Sequence, residues 1–174
     1  MVNLFTQMMP WAVLLSNILA AVLFLALLMR RSFGGGIVRF VGEHALAFGL
    51  LFSAVAVGGS LFYSNVVGFP PCYLCWWQRI VVYPLLPLFL VAVWKRDRGV
   101  FRYAMPLSVI ALILSLYHSY VQWGGSPLIP CDVTASCSKL YVYAFGYITI
   151  PTMVLSIAVL YMLLYWSNRV YQSR

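Results

Sequence analysis

The stretch WQRIVVYPLLPLFLVAVW, Trp77–Trp94, carries one charge, Arg79, close to its beginning. A helix needs about 20 apolar residues to cross about 30 Å of hydrocarbon, and this run with its flanks is long enough. Pro84 and Pro87 inside it predict a kink, because proline removes a backbone donor and crowds the preceding turn. Lys95, Arg96, Arg98 and Arg102 follow it, and Cys72 and Cys75 precede it. Charge beyond one end and thiols beyond the other set the pattern for the whole chain.

Working outward, four more segments have the same character: Pro10–Met29, Ala45–Tyr63, Tyr103–Gln122 and Tyr147–Trp166. The second holds small residues (Ser53, Ala54, Ala56, Gly58, Gly59, Ser60) that let helices approach closely. Of the 174 residues, 64% are hydrophobic and 8% charged, with mean hydropathy +0.94. That composition makes a bilayer the solvent. The expected fold class is an all-α integral membrane protein.

The net charge of +8 does not point to nucleic acid, because the basic residues fall in short clusters between apolar runs. Five crossings put Arg30, Arg31, Arg39, Lys95, Arg96, Arg98, Arg102, Arg169 and Arg174 on one face, leaving Arg79 and Lys139 on the other. The positive-inside rule makes the nine cytoplasmic, so the N-terminus and the loops around residues 64–76 and 123–146 face outward. A cleavable signal peptide is the other reading of the first span. No positive charge precedes that span and Arg30-Arg31 follows it, which favours a retained helix. Gly34-Gly35-Gly36 then reads as a flexible joint, dividing an extra N-terminal helix (residues 1–36) from a core (37–174).

All four cysteines, Cys72, Cys75, Cys131 and Cys137, lie in or beside the two outward loops. Outside the cytosol an even count implies two pairs. Cys72-Tyr73-Leu74-Cys75 follows two prolines and opens a span, so both sulfurs sit near a helix N-terminus, where a thiolate is stabilised. A disulfide here would close a very small loop and remove little chain entropy, which favours a redox role over a staple. Two structural disulfides, or a zinc site fed by four thiolates, remain as alternatives; the C-x5-C spacing of the second pair suits zinc less well. That pair sits in a short polar loop, where exposure would admit an outside thiolate and Lys139 would favour ionisation.

Arg79 lies four residues beyond Cys75, on the same helix face and one turn deeper. A charge there is costly and points to function, such as stabilising a thiolate or the oxygen of a reduced quinone; snorkelling is the plainer reading. Trp76, Trp77 and Tyr83 read as an interfacial belt first and a slot for a flat ligand second. His118, near the outer end of the fourth span, suits either an interhelical hydrogen bond or proton handling. The aromatic run Leu140–Phe145 is expected to lie along the membrane surface, or else to begin the last span.

The segment Pro71-Cys-Tyr-Leu-Cys-Trp-Trp-Gln-Arg-Ile80 resembles the signature of the DsbB family of disulfide bond formation proteins: P-C-x-L-C, three residues, then R. Phe145-Gly-Tyr-Ile-Thr-Ile-Pro151 is similar to the opening of the last helix in the short-loop, BdbC-like branch. The resemblance runs from about residue 40 to 170. It implies a four-helix membrane bundle in a bacterial inner membrane that re-oxidises a DsbA-like thioredoxin-fold protein and passes two electrons to ubiquinone or menaquinone. By position it implies that Cys131 meets the partner's thiolate, that Cys137 attacks Cys72, and that Cys75 acts on the quinone beside Arg79, with His118 near the quinone; Trp76 joins the candidate quinone contacts only through its place beside Arg79. The loop between Cys131 and Cys137 is much shorter than in the best-known members, and the first span lies outside the usual four.

Two rivals remain. A vitamin K epoxide reductase-like quinone enzyme shares the architecture, but its quinone-proximal C-x-x-C closes the last core helix rather than opening the second. A non-catalytic membrane scaffold with two structural disulfides leaves Arg79 without a role.

Overall fold

The computed structural model describes residues 2–30, 34–128 and 136–173. Seven α-helices carry the fold: α1 (Val2–Leu28), α2 (Gly35–Glu43), α3 (Ala45–Leu61), α4 (Tyr73–Val82), α5 (Leu85–Lys95), α6 (Phe101–Gln122) and α7 (Ile150–Gln172). Among the described residues five helical segments are long and apolar enough to cross a membrane: Thr6–Leu28, Ala45–Val66, Tyr73–Lys95, Arg98–Gln122 and Ile150–Gln172. These match the five apolar runs of the sequence, and the chain is a multi-pass helical membrane protein.

Local chemistry sets the boundaries. α3 continues through a π-helical turn, Phe62–Val66, before the chain reaches Pro70-Pro71. The third span breaks between α4 and α5 at Tyr83-Pro84, where the missing proline donor interrupts the ladder. α5 ends on Arg96 in the left-handed region (φ 54°), and the Asp97 carboxylate accepts from Gly99 N at 2.7 Å to start the turn into α6. α7 is capped by Thr149, whose backbone N donates to Thr152 Oγ1 at 2.7 Å.

Small residues bring the core helices together. A Cβ at Gly49 of α3 would run into the Phe89 ring of α5. On the same stripe Ser53 Oγ, Tyr161 Oη and the Gly49 carbonyl oxygen stand at the corners of a triangle with sides of 2.5, 2.8 and 2.9 Å, and the two hydroxyl hydrogens are shared among its three sides. Around it Leu85, Phe89, Phe101, Ala104 and Leu164 make the main buried cluster. In a bilayer such close packing, rather than water exclusion, holds helices together.

At the end opposite the cysteines, Arg98 donates to the carbonyls of Gly42 (2.7 Å) and Glu43 (2.8 Å) and to Asn168 Oδ1 (2.8 Å), and lies over the Tyr171 ring. Arg98 therefore satisfies the last carbonyls of α2. The glycine joint differs from its expectation: Gly34 precedes α2, and Gly35 and Gly36 form its first turn. Tertiary contacts override glycine's poor propensity there, since α2 packs against α7 closely enough that a Cβ on Gly42 would meet Ser167 and Tyr171.

The aromatic run before α7 stays outside that helix. Ala144 and Ile148 exchange backbone hydrogen bonds (3.0 and 2.8 Å) across a tight turn whose central residues, Phe145 and Gly146, have φ of 51° and 78°. Two successive positive φ values define a turn that needs glycine at one position at least.

Candidate redox site at the mouth of the helix bundle

Cys72 caps α4 and is 2% exposed. Its extended backbone (ψ 170°) turns its Sγ back over the helix start, where it accepts from Cys75 N at 3.3 Å. Pro70-Pro71 fits this entry, because prolines hold the chain extended up to the first turn. Cys75, one turn later, brings its sulfur to 2.6 Å from that of Cys72; both are free thiols. The pair can close into a disulfide by side-chain adjustment alone.

His118 of α6 completes the inner side. Its Nε2 lies 3.7 Å from Cys72 Sγ and 3.2 Å from the Cys137 carbonyl oxygen, and the residue is buried. A carbonyl only accepts, so Nε2 carries the hydrogen. The Cys72 thiol is held below its ordinary value by the hydrogen bond with Cys75; burial opposes this, and His118 adds a hydrogen bond and favourable charge. The ligand atoms of Cys72, Cys75 and His118 lie within 4.8 Å of one another, a set able to hold a soft metal ion when both thiols are reduced.

Cys137 packs with Cys72, Leu74 and Val121 in one buried cluster. It is disulfide-bonded and 1% exposed, so this member of the second pair is not an exposed thiol as its polar loop suggested. Cys131 lies outside the described residues. Lys139 holds its ammonium 4.9 Å from the Tyr141 ring. Tyr141 then packs on Phe69 (5.0 Å), and Phe69 stacks on Tyr63 (5.9 Å), so an aromatic series ties the two loops together.

Cys75 and Arg79 both open into a cavity of about 350 Å³, within the range of about 300–1,000 Å³ usual for small-molecule sites. The Arg79 side chain reaches α3, donating from Nε to Ser60 Oγ (3.0 Å) and from Nη2 to Ser60 O (3.2 Å). Tyr83 donates to the same hydroxyl at 3.0 Å. Among the described residues Arg79 forms no ion pair, and its Nη1 has no hydrogen-bond acceptor. Its guanidinium lies 5.2 Å from the Trp76 ring and 5.9 Å from that of Tyr83. Trp76 is 54% exposed on the outside of the bundle. Neither Trp76 nor His118 is among the residues lining the cavity.

Sequence reasoning missed three polar groups here. Ser60 read only as a small packing residue, yet it anchors Arg79. Tyr63 Oη and Gln78 Nε2 are buried, line the cavity and have no hydrogen-bond partner. Gln78 carried a signal, lying one turn beyond Cys75 and next to Arg79; Tyr63 carried none, because only the fold brings α3 beside α4. Orphaned buried donors are rare, and a ligand with acceptor oxygens would satisfy them.

A family model described as "Disulfide bond formation protein DsbB" matches residues 42–167. A disulfide formation protein of Coxiella burnetii is 39% identical over 116 residues, covering 65% of this chain and 79% of its own. Disulfide bond formation protein C of Bacillus subtilis is 39% identical over 103 residues (58% of this chain, 75% of its own). The SPbeta prophage-derived disulfide bond formation protein B of the same organism is 42% identical over 95 residues (54% and 64%). No solved structure matches the chain.

Proposed function

Because the chain belongs to the DsbB family of disulfide bond formation proteins, we propose that it re-oxidises a DsbA-like thioredoxin-fold dithiol protein and delivers the electrons to a membrane quinone, ubiquinone or menaquinone. The observation that carries this reading is the placement of the Cys72–Cys75 pair. Cys72 faces His118 and the Cys137 loop, while Cys75 opens with Arg79 into a largely apolar cavity. One sulfur pair thus adjoins two different sites. The protein sits in a bacterial inner membrane with its N-terminus and cysteine loops outward and its C-terminus cytoplasmic, as the nine clustered basic residues favour.

The exchange is balanced as follows. A partner thiolate attacks Cys131 in a Cys131–Cys137 disulfide and releases Cys137 as thiolate. Cys137 attacks Cys72 of the inner disulfide and expels the Cys75 thiolate. The partner's second thiolate then takes the partner off Cys131, leaving the partner oxidised. Cys131 attacks Cys137, which restores the outer disulfide and leaves Cys72 and Cys75 carrying two electrons. These are thiolate displacements, governed by leaving-group acidity and proximity. Burial of Cys137 against Cys72 supports the inner role for Cys137.

Cys75 and Arg79 would hold a quinone at the cavity, where it would supply a sink for two electrons and two protons. The cavity suits its head: flat apolar walls, the unpartnered donors of Tyr63 and Gln78, and a free Arg79 nitrogen for oxygen that gains negative charge. Arg79 also sits one turn from Cys75, where its charge favours the thiolate. His118 acts on Cys72 rather than from the cavity wall.

Trapping cysteine states by alkylation of the protein in membranes tests this. A reduced thioredoxin-fold protein should reduce the outer pair, and added quinone should restore the disulfides. Quinone-dependent oxidation that survives Cys75→Ser would sink the electron path, and cysteines inert to both reagents would leave only a scaffold.

A further inference from the structure

The family match begins at residue 42 and leaves α1 outside it, yet α1 forms one wall of the cavity that holds Cys75 and Arg79. Met9, Ala12, Val13, Ser16 and Leu19 line it. Their spacing of three and four residues is a single helix face. Toward the basic end of the bundle the same face closes onto α7, with Ala20 and Leu23 packed against Leu160 and Leu163. Toward the cysteine end, Trp11 meets the Phe145 ring edge-on at 4.7 Å, and Asn17 Nδ2 donates to Tyr147 Oη at 3.2 Å. α1 is thus fastened to the turn before α7 and to α7 itself, while Ala12 and Val13 face open space.

The cavity also has two chemically different ends. Tyr63, Gln78 and Arg79 supply polar atoms near Cys75. Away from them it is walled by Leu19 of α1, Leu51 and Phe52 of α3, and Ile157 and Leu160 of α7. An occupant needs acceptor oxygens at one end and hydrocarbon at the other.

We propose that α1, by walling the slot on the side open between α3 and α7, contacts the polyisoprenoid tail of the quinone and is a determinant of tail length. This rests on the reading that the quinone head lies at Cys75 and Arg79. The slot is continuous with that head site, so a tail entering it stays attached to a head within reach of Cys75. Burial of added prenyl units against α1 then strengthens binding in proportion to the apolar area covered.

The test uses the purified full-length protein in detergent, with dithiothreitol as electron donor and two quinones that share one head and carry one or four prenyl units. In the unaltered protein the four-prenyl quinone should have the higher kcat/KM. Ala12→Trp fills the slot, and the ratio of kcat/KM for the longer to the shorter quinone should fall at least fivefold, through KM. Ala12→Leu provides the same readout at about twofold if the larger side chain prevents folding. An unchanged ratio in both variants overturns the proposal, and so does an unchanged ratio with loss of co-purified phospholipid, which would make the slot a lipid site. Reduction of neither quinone by the unaltered protein would instead remove the quinone reading itself.

Discussion

His118 Nε2 stands 3.7 Å from the Cys72 sulfur and 3.2 Å from the Cys137 carbonyl oxygen, so one ring nitrogen on α6 serves both cysteine loops. The arrangement joins the capping residue of one span to the loop that opens another, and it places the donor beside the sulfur assigned to exchange in the proposed route.

Removing that donor should weaken the Cys72 thiolate. The Cys72 thiol is held down to about 4, so it is ionised at neutral pH and takes up a proton only as pH falls through that value. His118→Ala should move that midpoint upward by about one unit, equivalent to about 1.4 kcal/mol. The pH profile of Cys72 labelling in the reduced protein, followed by mass spectrometry, reads the shift. An unmoved profile would show that the Cys75 hydrogen bond alone sets the acidity.

Arg79→Ala should raise the KM for quinone about 10- to 100-fold, the equivalent of losing one charge-assisted hydrogen bond. Alkylation trapping should still find the disulfides formed, because losing one charge beside the Cys75 leaving group slows exchange at Cys72 without abolishing it. Arg79→Lys should recover only part of the loss, since a lysine cannot reproduce the paired contacts to Ser60. Quinone kinetics unchanged from the native protein would reduce Arg79 to a snorkelling side chain.

Tyr63→Phe should separate stability from activity. The Tyr63 hydroxyl is buried without a partner, so deleting it in quinone-free detergent should leave the thermal midpoint unchanged or raise it. The same change should weaken quinone use about 5- to 10-fold by removing a neutral hydrogen bond to the head. A fall in both would assign the hydroxyl a structural role.

Gly49→Ala tests the core. Its Cβ would strike the Phe89 ring, which is buried between Phe101 and Tyr161 and has nowhere to turn. A loss of about 1–3 kcal/mol is expected for such overpacking, seen as a lower unfolding midpoint in detergent. Gly58→Ala, where a Cβ meets nothing within 4 Å, is the control.

Much of this architecture was legible because a bilayer enforces long apolar runs. Five runs became five spans, and Pro84 broke the third where proline chemistry required. The C-x-x-C unit and Arg79 were legible because a helix repeats every three to four residues, which fixes local neighbours without tertiary knowledge. Groups that depend on which helices meet were not. Ser60 looked like one more small residue until α4 placed Arg79 against it, and the burial of Cys137 depends on α6 and α4 closing over its loop. The glycine run was read by propensity, whereas contacts with α7 and the Arg98 hydrogen bonds decide its helical state. The turn at Phe145-Gly146 lacks the Asn-Gly or Asp-Gly pair that usually announces it.

The interruption at Tyr83-Pro84 has a consequence for how the molecule accommodates change. α4 packs chiefly on α6, and α5 chiefly on α3. An unbroken helix would transmit any rotation of its first half, side chain for side chain, into the Leu85–Phe89 packing. With the ladder cut, the two halves answer to different neighbours, as two short rods joined by a swivel. Sequence drift around Cys75 and Arg79 can then re-aim the proposed electron exit while the anchorage of the span stays where Phe89 and Tyr161 hold it.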